Sequence, residues 1–351
     1  MRLGRINRLV AVAASAALAL GLAACGTDDA APETTPDESP AAAPSDDESQ
    51  ADEGADDAAA AGTIETESNL GVHTIAVPPE SVVALDNRSF AILDEWGVEL
   101  SAAAVSLMRP DLGYKDAGIA DIGNHREPNL ELIVAAQPDL VVSGQRFTQY
   151  NEDIAALVPG ATVVDYSPRD GEDFGAELKR HVTELGRIFG KEAEAQADVD
   201  EFDAAVARVQ AAYDSSQTVL GVITSGGEIN FAAPTEGRSV GPAFDILGLT
   251  PALTVDDASS NHEGDDISVE AIADSNPDWI LVLDRDAATS ANSGETYTPA
   301  NELLAGSAAL QNVTAVQEGR IVYMPQFTYL DEGIGIYTEF FNSIAEAMEQ
   351  A

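Results

Sequence analysis

Arginine is the residue whose placement in this chain calls for a chemical explanation. The 351 residues carry 61 Asp and Glu against 17 Lys and Arg, a formal net charge of −44. Beyond Arg208 the only basic side chains are Arg238, Arg285 and Arg320. A guanidinium stays charged at any relevant pH and offers planar, paired donors to oxygen anions. Two of the arginines occupy equivalent places. The segment from Glu131 to Arg146 (ELIVAAQPDLVVSGQR) matches the one from Glu270 to Arg285 (EAIADSNPDWILVLDR) without a gap, with Glu, Ile, Pro, Asp and Arg identical in register. Each copy reads as a short helix stopped by Pro-Asp, then an apolar strand that ends beside the arginine. Clefts in α/β sheets lie outside the carboxyl ends of the strands, so both arginines stand where a ligand is expected.

Other chemistries lack their residues. There is no Gly-x-Ser-x-Gly elbow, P-loop, His-Glu-x-x-His or spaced cysteine set, and the four histidines (His73, His125, His181, His262) are scattered. Ser225-Gly226-Gly227 lacks the strand-to-helix context of a phosphate loop. Binding rather than turnover is therefore expected, and the chain is not read as an enzyme. The acidic balance excludes nucleic acid as a partner, because no basic field exists to hold a phosphate backbone.

The elements that must position the arginines follow from the repeat. A continuous apolar strand implies burial on both faces, as in a parallel sheet covered by helices. Two copies about 140 residues apart imply two lobes of similar build. Between them, the stretch from Phe174 to Phe189 reads as a helix carrying Leu178, Val182 and Leu185 and broken by Gly190. From Lys191 to Tyr213 there is neither Gly nor Pro, and Phe202, Val206, Val209 and Tyr213 form one apolar stripe. A helix of that length spans about 35 Å, and a single rigid helix between lobes limits them to small twisting motions. Further strands are expected at Ser81–Leu85, Thr162–Tyr166, Thr218–Thr224 and Arg320–Met324, with helices over Ser89–Trp96 and from about Tyr337 to the end. The fold class is α/β: two lobes with parallel β-sheets flanked by helices, joined by one long interlobe helix.

The first residues indicate a compartment. Arg2, Arg5 and Arg8 precede an apolar run, Leu9 to Leu22, too short for a stable membrane span. It closes on Leu22-Ala23-Ala24-Cys25-Gly26, similar to a lipobox, with Cys25 the only cysteine of the chain. The resemblance implies cleavage before Cys25, a diacylglycerol on its thiol, and a protein held at the extracytoplasmic face of the cell membrane. From Gly26 to about Gly62 there is no Lys, Arg or aromatic residue. Such a stretch cannot offset the entropy of ordering and reads as a disordered acidic tether, with a reach of roughly 35 Å. The expected layout is a signal peptide at 1–24, the tether at 25–62, an N-terminal α/β lobe at 63–190, the backbone helix at 191–214 and a C-terminal α/β lobe at 215–351.

With these blocks assembled, the body from about Leu70 to Met348 resembles the ferric-siderophore-binding lipoproteins of ABC importers. These belong to the helical-backbone (class III) solute-binding proteins, and the chain is most similar to their catecholate-binding branch. The blocks that carry the resemblance are those beginning at Ser81, Glu127 (EPNLE), Pro138 (PDLVVSGQR), Glu236 (EGR), Phe244 (FDILGL), Asp284 (DRD) and Gly319 (GRIVY). The helix, Pro-Asp and strand block is shared with cobalamin and haem binders; Ser143-Gly144-Gln145-Arg146 and Asp284-Arg285-Asp286 narrow it to the catecholate branch. The resemblance implies that Arg146, Arg238 and Arg285 line the cleft, where an anionic ferric catecholate accepts charge-assisted hydrogen bonds and its flat rings stack on guanidinium planes. It implies His262 and Tyr329 as protein ligands to the iron of a tetradentate siderophore, imidazole and phenolate both being competent ferric donors, with the acidic surroundings of His262 as a departure. It implies Glu131 and Glu270 as one docking carboxylate per lobe for a dimeric ABC permease. The ferric siderophore is cargo, no cofactor is permanently bound, and the protein works as a monomer. Haem or cobalamin on the same fold is the first alternative. A zinc- or manganese-binding lipoprotein is the second, weakened by the missing His-rich loop.

Overall fold

The computed structural model describes residues 62–351. The expected signal peptide, the Cys25 anchor and the tether up to residue 61 lie outside the described residues. The chain opens with two antiparallel strands, β1 (Gly62–Ser68) and β2 (Gly71–Val77), which pair with each other and join neither main sheet. Next come β3 (Val82–Ala84), β4 (Ala102–Ala103), β5 (Ala120–Asp121), β6 (Leu140–Ser143) and β7 (Thr162–Asp165). They form a five-stranded sheet of order β5-β4-β3-β6-β7, parallel throughout. The strands β8 (Val219–Ser225), β9 (Glu228–Ala232), β10 (Trp279–Asp284) and β11 (Ile321–Tyr323) form a second sheet of order β11-β10-β8-β9.

The repeat is visible in both sheets. β6 lies between β3 and β7, and β10 lies between β8 and β11, each an inner strand with parallel neighbours. Their side chains are buried along almost the whole length, as expected for strands covered on both faces. The second sheet departs from the all-parallel expectation at one edge, where β9 runs antiparallel to β8. The cause is local. Gly226 and Gly227 both have positive φ, 61° and 86°, and join Ser225 to Glu228 across a two-residue turn. That backbone matches the twist of a hairpin and favours glycine at both central positions.

The β1–β2 hairpin was not expected from the sequence. Its inward positions include Thr66 and Ser68, so hydrophobic alternation is weak, yet both are buried. Thr66 Oγ1 lies 2.6 Å from the Tyr166 hydroxyl, and the Arg187 guanidinium donates to the Glu65 carbonyl at 2.8 Å. Polar pairing with the end of the first sheet and with the helix Phe174–Phe189 supplements a small apolar face, in which Ile75 is buried and Ile64 and Val77 pack beside it.

That helix and the longer one at Glu192–Ala212 carry the chain from β7 to β8. Phe202 and Val209 of the expected stripe are fully buried, and Val206 and Tyr213 are half-buried. The terminal helix, Ile334–Gln350, begins three residues earlier than expected and packs along the long helix. Phe202 meets Phe341 at 5.6 Å between ring centroids, and Arg208 pairs with Glu349 at 3.0 Å. One continuous apolar core joins the first sheet, these helices and the facing side chains of β8 and β10. A smaller core covers the other face of the second sheet. Shared packing of this kind stiffens the relation between the sheets. No helix among the described residues is long and apolar enough to cross a membrane.

Candidate ligand-binding site

Each expected cleft arginine follows a strand of the structure. Arg146 comes three residues after β6, in the 3-10 helix Gln145–Tyr150. The glycine before it is required by close approach: a Cβ on Gly144 would stand 2.9 Å from both Asp86 Cγ and Ser167 Oγ. Asp86 is fully buried and caps the helix Asn87–Glu95, accepting from the Arg88 amide at 3.2 Å. Arg285 directly follows β10 as the first residue of the helix Arg285–Ser293. The helix is capped by Asp284, which accepts from the Ala287 amide at 3.0 Å. Arg238 lies in the loop after β9, where a Cβ on Gly237 would come within 2.5 Å of the Ala233 backbone. Only glycine lets the chain fold back that tightly and present the next side chain to the cleft.

The three guanidiniums converge on one phenol. Tyr329, on the short helix Thr328–Asp331 that follows β11, has Arg146, Arg238 and Arg285 at 5.3, 4.8 and 5.1 Å from its ring centroid. Cations at such distances are attracted by the ring quadrupole, and more strongly where water is partly excluded. The helix is fixed from the first sheet by Asn87, whose amide donates to the Leu330 carbonyl at 2.7 Å. Arg238 is held by Glu332 through two hydrogen bonds of 3.1 and 2.8 Å. Arg285 donates to Ser225 Oγ at 2.9 Å, while its buried Nε has no partner among the described residues. Arg146 makes one long contact, 3.4 Å to the Tyr329 carbonyl. Two of the three guanidiniums therefore keep most of their donors for a ligand.

These side chains line a cleft of about 430 Å³ together with His262. Burial, then the charge of Arg238, pull the Arg146 guanidinium below its ordinary pKa. For Arg238 burial also opposes charge, but the Glu332 carboxylate outweighs it and the net shift is upward. Both remain protonated at any physiological pH. His262 sits on the rim with its side chain about half exposed, 3.8 Å from Glu263. Burial and then Arg285 lower its pKa, outweighing the opposing pull of Glu263. The acidic neighbour feared from the sequence is thus only a loose partner, and the neutral imidazole keeps a lone pair to offer.

All five expected cleft residues are gathered at this one place. The expected docking residues stand apart from it. Glu131 and Glu270 are both exposed, each in the first turn of a short helix, Leu130–Ala136 and Val269–Asp274, capped by Asn129 and Ser268. The cleft also contains Leu107, Asn124, His125, Arg126 and Thr289, which the sequence did not point out. His125 precedes the Glu127 block, and Arg126 is one of few cations, so charge scarcity was a usable signal there. Burial, then the charges of Arg146, Arg126 and Arg238, keep the His125 imidazole below its ordinary pKa. No group of three or more His, Cys, Asp or Glu is placed to hold a metal ion among the described residues.

The chain is similar to known proteins in sequence and in fold. The sequence profile of the periplasmic binding protein family matches residues 82–327. The ferric-anguibactin-binding protein FatB of Vibrio anguillarum is 32% identical over 265 residues, 74% of this chain and 79% of its own length. The petrobactin-binding protein YclQ of Bacillus subtilis is 25% identical over 278 residues, 78% of this chain and 83% of its own. The crystal structure of YclQ superimposes with a TM-score of 0.68 at 23% identity, covering 83% of this chain and all of that one. The siderophore-binding protein BauB, solved bound to a complex of two acinetobactin molecules and ferric iron, superimposes with a TM-score of 0.70 at 24% identity, with the same coverage.

Proposed function

The chain belongs to the periplasmic binding protein family, and from that premise we propose that it captures a ferric siderophore outside the cytoplasm and hands it to an ABC permease. The observation that carries this is the convergence of three arginines on the ring of Tyr329 in a chain of net charge −44. The cleft is a local well of positive potential in a negative field. An anionic chelate fits it, because its oxygens accept from guanidinium donors and its flat rings lie against guanidinium planes. The ligands named for FatB and YclQ, ferric anguibactin and petrobactin, agree in class. A catecholate-type siderophore is the class the arginines favour. Tyr329 and His262 serve as donors to the iron where the siderophore leaves positions open.

A ligand panel tests this. Trp279 opens β10 and Arg285 follows its end, a separation of about 20 Å at 3.3 Å per residue. That is within energy-transfer range of a strongly absorbing ferric complex. Quenching of tryptophan fluorescence by ferric catecholates at submicromolar concentration, with no response to ferric hydroxamates, haem or cobalamin, is the expected result. Quenching by haem or hydroxamates alone would overturn the assignment.

Delivery is proposed to run through Glu131 and Glu270, one exposed carboxylate from each copy of the repeat, matched to two basic pockets on a dimeric permease, with the chain acting as a monomer tethered through lipid on Cys25. The double substitution Glu131→Ala and Glu270→Ala should cut iron uptake by cells more than tenfold and leave ligand affinity in solution unchanged. Normal uptake by the double variant removes the docking role.

A further inference from the structure

Beneath the cleft lies one buried carboxylate that the binding reading does not use. Glu332 follows the helix of Tyr329, adopts a left-handed backbone with φ 60°, and its side chain is 4% exposed. Its Oε1 accepts from Arg238 Nε at 3.1 Å and from Ser239 Oγ at 2.6 Å, and its Oε2 accepts from Arg238 Nη2 at 2.8 Å and from the Gln145 side-chain amide. Arg88 Nη2 stands 3.7 Å from Oε2. Arg88 and Gln145 belong to the first sheet's side, Arg238 and Ser239 to the second's. Burial disfavours the charge of Glu332, but Arg238 and then Arg88 outweigh it and hold the carboxyl below its ordinary pKa. It is ionised at neutral pH.

We infer that Glu332 sets the ligand charge for which the cleft selects, by cancelling part of the positive field of the arginines on the side away from the ligand. The inference rests on the siderophore reading and deepens it. Without Glu332, the guanidiniums of Arg88, Arg146 and Arg238 would lose the carboxylate they share, and the cleft would favour the most highly charged anion available. With it, Arg238 is spoken for on one edge, and Arg88 is balanced behind the cleft. The charge presented to a ligand is then that of Arg146 and Arg126, with Arg285 only loosely paired to Asp286 at 3.8 Å. Arg88 is well suited to report on this. Its side chain is 11% exposed, its buried Nε has no partner among the described residues, and it does not line the cleft. It acts on the ligand only through the field it shares with Glu332.

Two substitutions move that field in opposite directions. Glu332→Gln removes a negative charge, and Arg88→Met removes a positive one while keeping an unbranched apolar stem. The readout is the ratio of affinities for a ferric tris-catecholate trianion and a ferric catecholate of single negative charge, measured by fluorescence quenching at low and high salt. Glu332→Gln should raise the ratio about tenfold at low ionic strength, and Arg88→Met should lower it by a similar factor, both effects shrinking in salt because the interaction is through space. A brace that merely holds Arg238 predicts something else: both variants weaken both ligands alike and the ratio stays put. That outcome, or a shift of the ratio in the same direction in both variants, overturns the inference. If Glu332→Gln does not fold, the Arg88→Met ratio decides alone, its fall supporting the inference and its constancy ending it. Failure of the wild-type protein to bind either catecholate is a distinct result and overturns the siderophore reading itself.

Discussion

Replacing Arg285 with alanine should weaken the binding of an anionic ferric chelate by tenfold to a hundredfold and leave the protein as stable as before, or slightly more so. Both halves come from the same geometry. A hydrogen bond to a charged partner contributes about 1.5–3 kcal/mol, and tenfold in affinity is about 1.4 kcal/mol. Arg285 has a single hydrogen bond of its own, to Ser225, and only a loose ion pair, 3.8 Å to Asp286, while its charge stands with those of Arg146 and Arg238 around one ring. In the empty protein its buried Nε is unpaired, which is a cost, and like charges crowd the site. Alanine also has a better intrinsic helix propensity at the start of the helix Arg285–Ser293. A residue that costs stability in the free protein and repays it only on binding is what a ligand site is expected to contain. Arg285→Lys should recover only part of the affinity, since ammonium keeps the charge but loses the planar fork. The check is a titration of each variant with a ferric catecholate beside thermal melts. An alanine variant with unchanged affinity and a lower melting temperature would mean that Arg285 is a structural ion-pair residue.

Much of this site was legible in the sequence, because the repeat ties a charged residue to a strand end. Pro138-Asp139 and Pro277-Asp278 fix where each helix stops, and the four to six apolar residues after them must run between sheet neighbours. The arginine then falls at the carboxyl end, where an α/β sheet opens. Arg238 and Tyr329 have no such local frame. Their place comes from loops after β9 and β11, and it was accessible only through the family resemblance. Glu332 left no trace at all: it is one of 61 acidic residues, and nothing in Asp331-Glu332-Gly333 separates a buried carboxylate from a solvated one. The β1–β2 hairpin escaped notice for a related reason, since Thr66 and Ser68 are buried by hydrogen bonding rather than by hydrophobicity. The edge strand β9 had a signal in Gly226-Gly227, which marks a hairpin as readily as a loop. Sequence patterns report apolar faces and turn geometry. They are silent on polar groups buried by partners distant in the chain.

Arg109→Ala should cost about 3 kcal/mol of stability at neutral pH, the scale for removing one member of a buried ion pair, and the loss should shrink as the pH is lowered. Arg109 comes from the first sheet's side and pairs with Asp331 at 2.8 Å; Asp331, next to Glu332, has a side chain only 4% exposed. Burial raises the pKa of Asp331, and Arg109 is the largest influence opposing that rise. Take the cation away and the carboxylate is left buried against the neighbouring Glu332, so its pKa climbs further. A carboxyl whose pKa is higher in the folded state than in the unfolded chain binds its proton more tightly when folded. Its contribution to stability is therefore full below the unfolded pKa and is lost as pH rises through the folded one. Denaturant unfolding of Arg109→Ala at pH 8 and pH 5 should show the larger deficit at pH 8. Adding Asp331→Asn should recover much of it, because the amide brings no charge into the same space and can still accept from the Gly333 amide, now 3.0 Å from Asp331 Oδ1. Equal deficits at the two pH values, with no recovery in the double variant, would show that Arg109 stabilises the fold through its other contacts, the pair with Asp111 at 2.9 Å and the approach of its guanidinium carbon to within 6.0 Å of the Phe327 ring centroid. The pair matters for binding as well as for stability. Asp331 belongs to the same short helix as Tyr329, so the ion pair that ties this helix to the first sheet also fixes the ring around which the three cleft arginines are arranged.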